Sequence, residues 1–267
     1  MKISTQLFSL VFYCFFTLSC GSDFYIPDQS NLLVLEKKKD LKASIAFNHV
    51  QAAYSPINHI GIKADYNFTD VALANSDRSL NKGTVGLGYY THQVVKPLRK
   101  SYSKIRTNPK LCLIGIEAYA NISQGKFIAS SNPTTRGIFT GFPVDQGFRV
   151  FEANLLNPHI SSQVYWQSQS FSLHFGCRAG LLYYYNGVGI GDYTEQERRL
   201  AASLIEDTPI PNVEFDIMLS KGNERLETFA QLSWNKSNNR LIDNSASFSF
   251  GLKMDIPSLI NSMRGIK

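Results

Sequence analysis

The chain has 267 residues, of which 43% are hydrophobic, 12% aromatic and 18% charged, a balance that excludes an intrinsically disordered protein. Its formal charge of +6 comes from scattered lysines and arginines that meet no array of base-stacking aromatics, so no nucleic-acid partner is expected. The same modest charge suits anionic lipid and polysaccharide equally, and selects neither.

The first element is a leader. Lys2, the apolar run Leu7–Leu18 and the sequence Thr17-Leu18-Ser19-Cys20 have the pattern of a bacterial lipoprotein signal. Cleavage would fall between Ser19 and Cys20, with Cys20 acylated. The competing readings are plain secretion and an uncleaved anchor, although the apolar run is short of the ~20 residues that a spanning helix requires. The sequence then divides into a signal peptide (1–19), a lipidated tether (20–39), one β-barrel domain (40–255) and a C-terminal tail (256–267). No Gly/Pro-rich linker or change of composition splits the body.

Period-two alternation runs through nearly all of that body, as in half-buried strands. From Leu41 to Phe47 the apolar positions are odd, and from Val50 to Tyr54 they are even. A shift of one residue turns every side chain to the other face, so either a bulge or a tight turn sits at Asn48-His49. Strands follow at 59–68, about 82–91, 111–121, 148–162, 171–185, 211–220, 226–235 and 245–254. In the last, Ala246, Phe248, Phe250, Leu252 and Met254 oppose Ser245, Ser247, Ser249, Gly251 and Lys253.

A turn at Asn48-His49 gives ten strands, a bulge gives nine. With ten, both termini share one side with the connections near 56–57, 92–110, 163–169 and 221–225. The other side receives the longer 69–81, 122–147, 186–210 and 236–244. Outer-membrane barrels have even strand numbers and short periplasmic turns, which favours ten. The expected fold is therefore an all-β, antiparallel up-and-down barrel of about ten strands. Thr194-Glu195-Gln196-Glu197 is a capping box that opens a short helix to Ile205 inside one long connection.

Such a barrel has one polar and one apolar face. Polar residues pointing inward would make it a membrane barrel; pointing outward, a soluble barrel around an apolar ligand. Glycines on the polar phase (Gly61, Gly86, Gly88, Gly115, Gly176, Gly251) favour a crowded polar lumen, because glycine on a soluble outer face only weakens strands. The expected lumen network is Lys63, Asp65, Glu117, His174, Arg178, Glu214, Asp216 and Lys253. In a barrel this narrow these charges are expected as a salt-bridged plug rather than an open pore.

Little in the chain points to chemistry. Cys14 leaves with the leader and Cys20 is the lipid site; Cys112 and Cys177 fall on strands two apart, too far for a disulfide, and read as free and buried. No metal-ligand spacing and no hydrolase or nucleotide motif occurs, so neither cofactor nor metal is expected. His159 beside Ser161 and Ser162, or His174 near Arg178, would be the starting points for an envelope lipid-modifying enzyme, and no enzyme activity is expected. The polar loops, Ser130–Thr135 among them, are candidate surfaces for extracellular polysaccharide or protein.

Tyr25-Ile26-Pro27, Asn31-Leu32-Leu33, Glu36-Lys37-Lys38, Gln51-Ala52-Ala53-Tyr54, His59-Ile60-Gly61-Ile62 and Gly86-Leu87-Gly88-Tyr89-Tyr90 occur in this order. The series resembles a group of mostly uncharacterised Gram-negative lipoproteins with predicted outer-membrane β-barrels. The resemblance implies a barrel and an envelope location in contact with outer-membrane lipid, and supplies no activity. Outer-membrane barrels often end on a strand with a terminal aromatic; here Asp255–Lys267 continues past the last strand. The expected role is structural, adhesive or interactive, in a barrel held to the outer membrane through Cys20.

Overall fold

A computed structural model describes residues 33–73, 76–95, 112–131, 149–168, 171–190, 195–222, 226–239 and 246–263. Its strands are β1 (Leu41–Ala46), β2 (His49–Ile57), β3 (Ile60–Leu73), β4 (Ser76–Val95) and β5 (Cys112–Ser131). They continue as β6 (Arg149–Gln167), β7 (Phe171–Ile190), β8 (Ile210–Gly222), β9 (Leu226–Ser237) and β10 (Ala246–Asp255). Each strand pairs antiparallel with its sequence neighbours, and β1 pairs with β10 to close a ten-stranded barrel. Closure replaces the two sheet edges with a seam over Lys42–Ala46 and Gly251–Asp255.

The phase change near Asn48 is a turn rather than a bulge. Ile45 pairs with Val50 across it, and the Phe68 N–H donates to the Asn48 carbonyl at 2.8 Å. The true irregularity lies lower on β2, between Tyr54 and Ile57, where Pro56 has no N–H to give to the ladder. The long connection expected at 69–81 is not a loop: β3 and β4 stay paired up to Leu73 and Ser76. The same holds for β5, which runs to Ser131. In these upper stretches (Asn81-Lys82, Gln124-Gly125-Lys126) the outward positions turn polar, so alternation fades while backbone pairing continues.

Apolar side chains point outward. Ile160 is 66% exposed and Leu87 59%, and Ile62, Val85, Ile116, Val164, Phe175 and Phe250 share that face. The inward phase is mainly polar in the lower and middle barrel, with Tyr90, Tyr119, Tyr165, Met218 and Phe229 set among the polar residues, and apolar above. There Leu80, Phe127, Phe151, Leu155, Leu182 and Ile210 form a buried cluster. Helix α1 (Glu195–Glu206) closes that end, with Leu204 fully buried in the cluster and Ile205 packed against it. Thr194 of the expected capping box lies outside the described residues. A second helix, α2 (Ile256–Met263), follows β10, so the expected tail begins as a helix.

The wall is uneven in height. β4, β5 and β7 have 20 residues each, whereas β1 has six and β2 nine.

Candidate functional site

The candidate site is the filled lumen. Each strand contributes every second residue to it, so its chemistry is set by which polar residues fall on the inward phase. Of the eight residues expected there, Asp65, Glu117, His174, Arg178, Glu214, Asp216 and Lys253 are buried and Lys63 is partly buried. The barrel register sorts them into three groups.

The first group surrounds Arg178 on β7. Its Nη2 lies 2.9 Å from both carboxylate oxygens of Asp216 and 3.1 Å from Glu214 Oε2. Gln231 and Ser233 donate to Asp216 at 3.1 and 2.5 Å, and Asn212 donates to Glu214 at 3.1 Å. Buried charges persist when they are paired and their remaining lone pairs are hydrogen-bonded, as here.

The second group binds the chain's own N-terminal segment. Leu35 N–H donates to Glu117 Oε1 at 3.0 Å, and Gln163 Nε2 reaches both Glu117 Oε2 (2.7 Å) and the Leu33 carbonyl (3.3 Å). Leu33, Val34 and Leu35 are all buried, and Leu33 and Leu35 cluster with Ala53 and Tyr90. Leu35 is seated over Gly61, where a Cβ would stand 2.7 Å from Leu35 Cδ1 and 2.6 Å from Tyr119 Oη, so glycine is the residue that leaves room. Residues 33–39 are therefore no bare tether. The apolar run Leu32-Leu33-Val34-Leu35 was the signal for this, since a solvated leash gains nothing from four consecutive aliphatic residues. Leu35→Ala should cost about 2–4 kcal/mol, as for other fully buried leucines. A urea titration of the folded barrel that leaves the midpoint unmoved would show the segment to be dispensable packing.

Lys39 and Asp40 tie the same segment to β2, through Lys39 N–H to the Ser55 carbonyl (2.7 Å) and Ser55 N–H to the Asp40 carbonyl (2.9 Å). Just ahead of β1, burial raises the Asp40 carboxyl above its usual range, an effect that Lys42 at 3.7 Å opposes.

The third group is a chain of contacts across β7, β8, β9 and β10. His174 Nε2 lies 2.9 Å from Ser172 Oγ, Ser172 bonds the Ser220 hydroxyl, Ser220 donates to Glu227 at 2.5 Å, and Lys253 pairs with Glu227 at 3.5 Å. Lys63 and Asp65 stand apart from these three. Lys63 donates to Ser161 at 3.2 Å and lies 4.4 Å over the Tyr119 ring, and Asp65 accepts from Asn67 Nδ2 at 3.1 Å. His159 Nδ1 is 3.1 Å from the Asn157 carbonyl, while Ser161 accepts from Lys63 and from Asn121 Nδ2 (2.9 Å).

Sequence reasoning missed Gln163, Ser172, Ser220 and Glu227, which carry the second and third groups. Gln163, Ser172 and Ser220 lie on the inward phase, but as small or neutral residues they look like ordinary strand surface. A cavity of about 10 Å³ remains between Leu33, Lys63, Tyr119, Gln163, Arg178 and Asp216. That is room for about one water. Among the described residues no group of three His, Cys, Asp or Glu side chains could hold a metal ion. Cys177 is a free thiol, half-buried on the outward phase of β7 rather than in the interior; the side chain of Cys112 lies outside the described residues.

No family model matches the chain, and no curated protein matches it in sequence. Among solved structures it is similar to the KdgM porin, at 8% identity over 80% of this chain and 96% of that one, with a TM-score of 0.27. The KdgM porin in complex with disordered oligogalacturonate gives the same values. OmpT (in-vitro folded), an outer membrane protein of Vibrio cholerae, is 8% identical over 80% of this chain and 94% of that one, with a TM-score of 0.21.

Proposed function

We propose that the protein is an outer-membrane β-barrel with a second, lipid attachment at Cys20, and that it serves as a plugged structural or docking element of the envelope. The carrying observation is the inversion of the barrel's faces: aliphatic and aromatic residues outside, a hydrogen-bonded polar lumen inside. In water the outer face would present a continuous apolar belt far above the few hundred Å² that soluble monomers expose. In lipid the same belt is favourable, and a closed barrel pairs its backbone strand to strand, as a structure spanning hydrocarbon must. A soluble barrel around an apolar ligand would need the opposite arrangement.

The filled lumen favours a plug over a diffusion channel. The N-terminal segment occupies it around Glu117 and Gln163, the Arg178 cluster holds its middle, and α1 closes the far end. Interaction with extracellular polysaccharide or protein is assigned to the rim on the α1 side, where function gathers on connections held by a rigid scaffold. Asn132–Thr135 of the expected loop surface lie outside the described residues. The His174–Ser172 contact is assigned a structural role, since Ser172 is itself engaged by Ser220.

Cys20→Ala separates the two attachments. The variant should stay in the carbonate-washed membrane pellet and keep a gel mobility that changes on boiling. Full release into the soluble fraction would mean that the lipid was the sole anchor and that the barrel does not span.

A further inference from the structure

We propose that the lipid at Cys20 sits in the outer leaflet, on the α1 side of the membrane, and that the chain reaches it by running up through its own barrel. This rests on both halves of the reading above, a spanning barrel and an acylated Cys20. The short turns of such barrels face the periplasm. β1 starts on that side, so an anchor attached directly below it would lie in the inner leaflet instead.

Followed from β1 toward the N-terminus, the leading segment climbs. At the lower mouth Lys38 N–H donates to Asn58 Oδ1 (3.1 Å) beside the foot of β3, and the Asp40 carbonyl accepts from Ser55 N–H. Leu35 is higher, with its N–H at Glu117 and its side chain over Gly61. Leu33 is higher again. It lines one cavity with Gln51, which stands four residues up β2 from Ser55, and with Lys63, Arg178 and Asp216. The chain before Leu33 thus sets out from mid-lumen, beneath the Arg178 cluster.

The bore above that point has the shape to hold it. Ten strands ~4.8 Å apart and tilted ~40° make a wall of radius ~10 Å, measured to the backbone. Low in the barrel, the bulky Tyr90, Tyr119, Tyr165, Met218 and Phe229 fill much of that space around residues 33–39. At the level of Arg178 and just above, most inward residues become short. Thr84 bonds Ser123 across β4 and β5 at 2.9 Å, and Ser233 and Ser249 stand on β9 and β10. Arg178 leaves the axis clear, because both carboxylates it bridges are on the adjacent strand, β8. Hydroxyls this short cannot meet across the bore, yet Ser123, Ser233 and Ser249 are all 0% exposed. Chain lying along the axis accounts for both facts. Residues 20–32, joined to Leu33 directly beneath, are in position to supply it.

The outlet is on the low side of the wall. The cluster under α1 draws its residues from β4 to β8, and none comes from β1, β2, β9 or β10. β1 and β2 meet at Phe47-Asn48, level with the upper edge of the outward apolar band, whereas β4 to β7 rise well past it. Chain leaving over that turn emerges among the headgroups of the outer leaflet. Leu33 is thirteen residues from Cys20. Fully extended these reach ~43 Å, more than the ~25 Å height of an entire apolar band. Doubling back to the lower mouth would instead require a second pass of chain beside residues 33–39, where the bulky side chains leave a cavity of about 10 Å³.

Cysteine labelling of intact cells tests this. In a Cys112→Ala, Cys177→Ala background, Asp23→Cys places a thiol next to the anchor, and Ala202→Cys places one on the exposed side of α1. A membrane-impermeant maleimide is applied before or after the outer membrane is permeabilised. Palmitate incorporation is measured on the same protein, and only the heat-modifiable, folded fraction is read. Both positions should be labelled in intact cells, with no gain at position 23 on permeabilisation. Label at 202 in intact cells, but at 23 only after permeabilisation or not at all, would overturn the threading and leave the spanning barrel standing. No label at 202 in intact cells would overturn the spanning reading, and no palmitate would overturn the anchor; the proposal falls with either.

Discussion

Arg178→Met is expected to destabilise the folded barrel by roughly 3–5 kcal/mol, the cost of removing one partner from a buried ion cluster. Arg178 is 4% exposed and bridges two carboxylates, Asp216 and Glu214, that are almost equally buried. Without the guanidinium those two carboxylates face each other's field in a lumen with little water to screen them. The residual donors, Gln231, Ser233 and Asn212, carry no charge to offset it. The measurement is the urea midpoint of the barrel in lipid vesicles. The triple variant Arg178→Met, Glu214→Gln, Asp216→Asn should recover much of the loss, because removing a whole buried cluster is often near neutral. An unchanged midpoint in Arg178→Met would mean that the cluster holds nothing together.

Gly251→Val should have the larger effect and abolish the folded form. Gly251 sits on β10 opposite Ala46 of β1, at the seam where the first and last strands close the barrel. A Cβ there would run into the Ile45 carbonyl oxygen and stand 2.7 Å from the Ala46 Cα. Both are backbone, so no side-chain rotation relieves the contact. The seam must either open or slip, and a slip of one residue would turn the inward residues of β10 toward lipid. The expected readout is loss of heat-modifiable mobility. Gly83→Ala is the control, since a Cβ there meets only the Tyr66 ring at 3.9 Å. A folded Gly251→Val barrel of normal mobility would show the seam to be plastic.

Much of the architecture is legible in the alternation. β3, β5, β7 and β10 each carry apolar residues on one phase and polar ones on the other, and the phase change after Phe47 marks the turn that makes the strand count ten. What alternation does not carry is register. Arg178 meets Asp216 and Glu214 because Cys177 pairs with Phe215 across β7 and β8, a relation between strands that neither strand's pattern encodes. Strand extent also escapes it: above Val85 and Ile122 the outward residues turn polar, so the pattern stops while the ladder does not. The N-terminal plug was hidden differently. Leu33–Leu35 forms no strand, and its burial depends on a glycine and a glutamate supplied by β3 and β5.

The enclosure of Leu33–Leu35 separates two sets of contacts that a barrel of this kind could have merged. Its partners Gly61, Glu117 and Gln163 stand on β3, β5 and β6. None of these strands belongs to the seam, which joins β1 to β10. The chain therefore grips its own leading segment with the middle of the sheet and closes the ring with the ends, so a change at one grip leaves the contacts of the other intact.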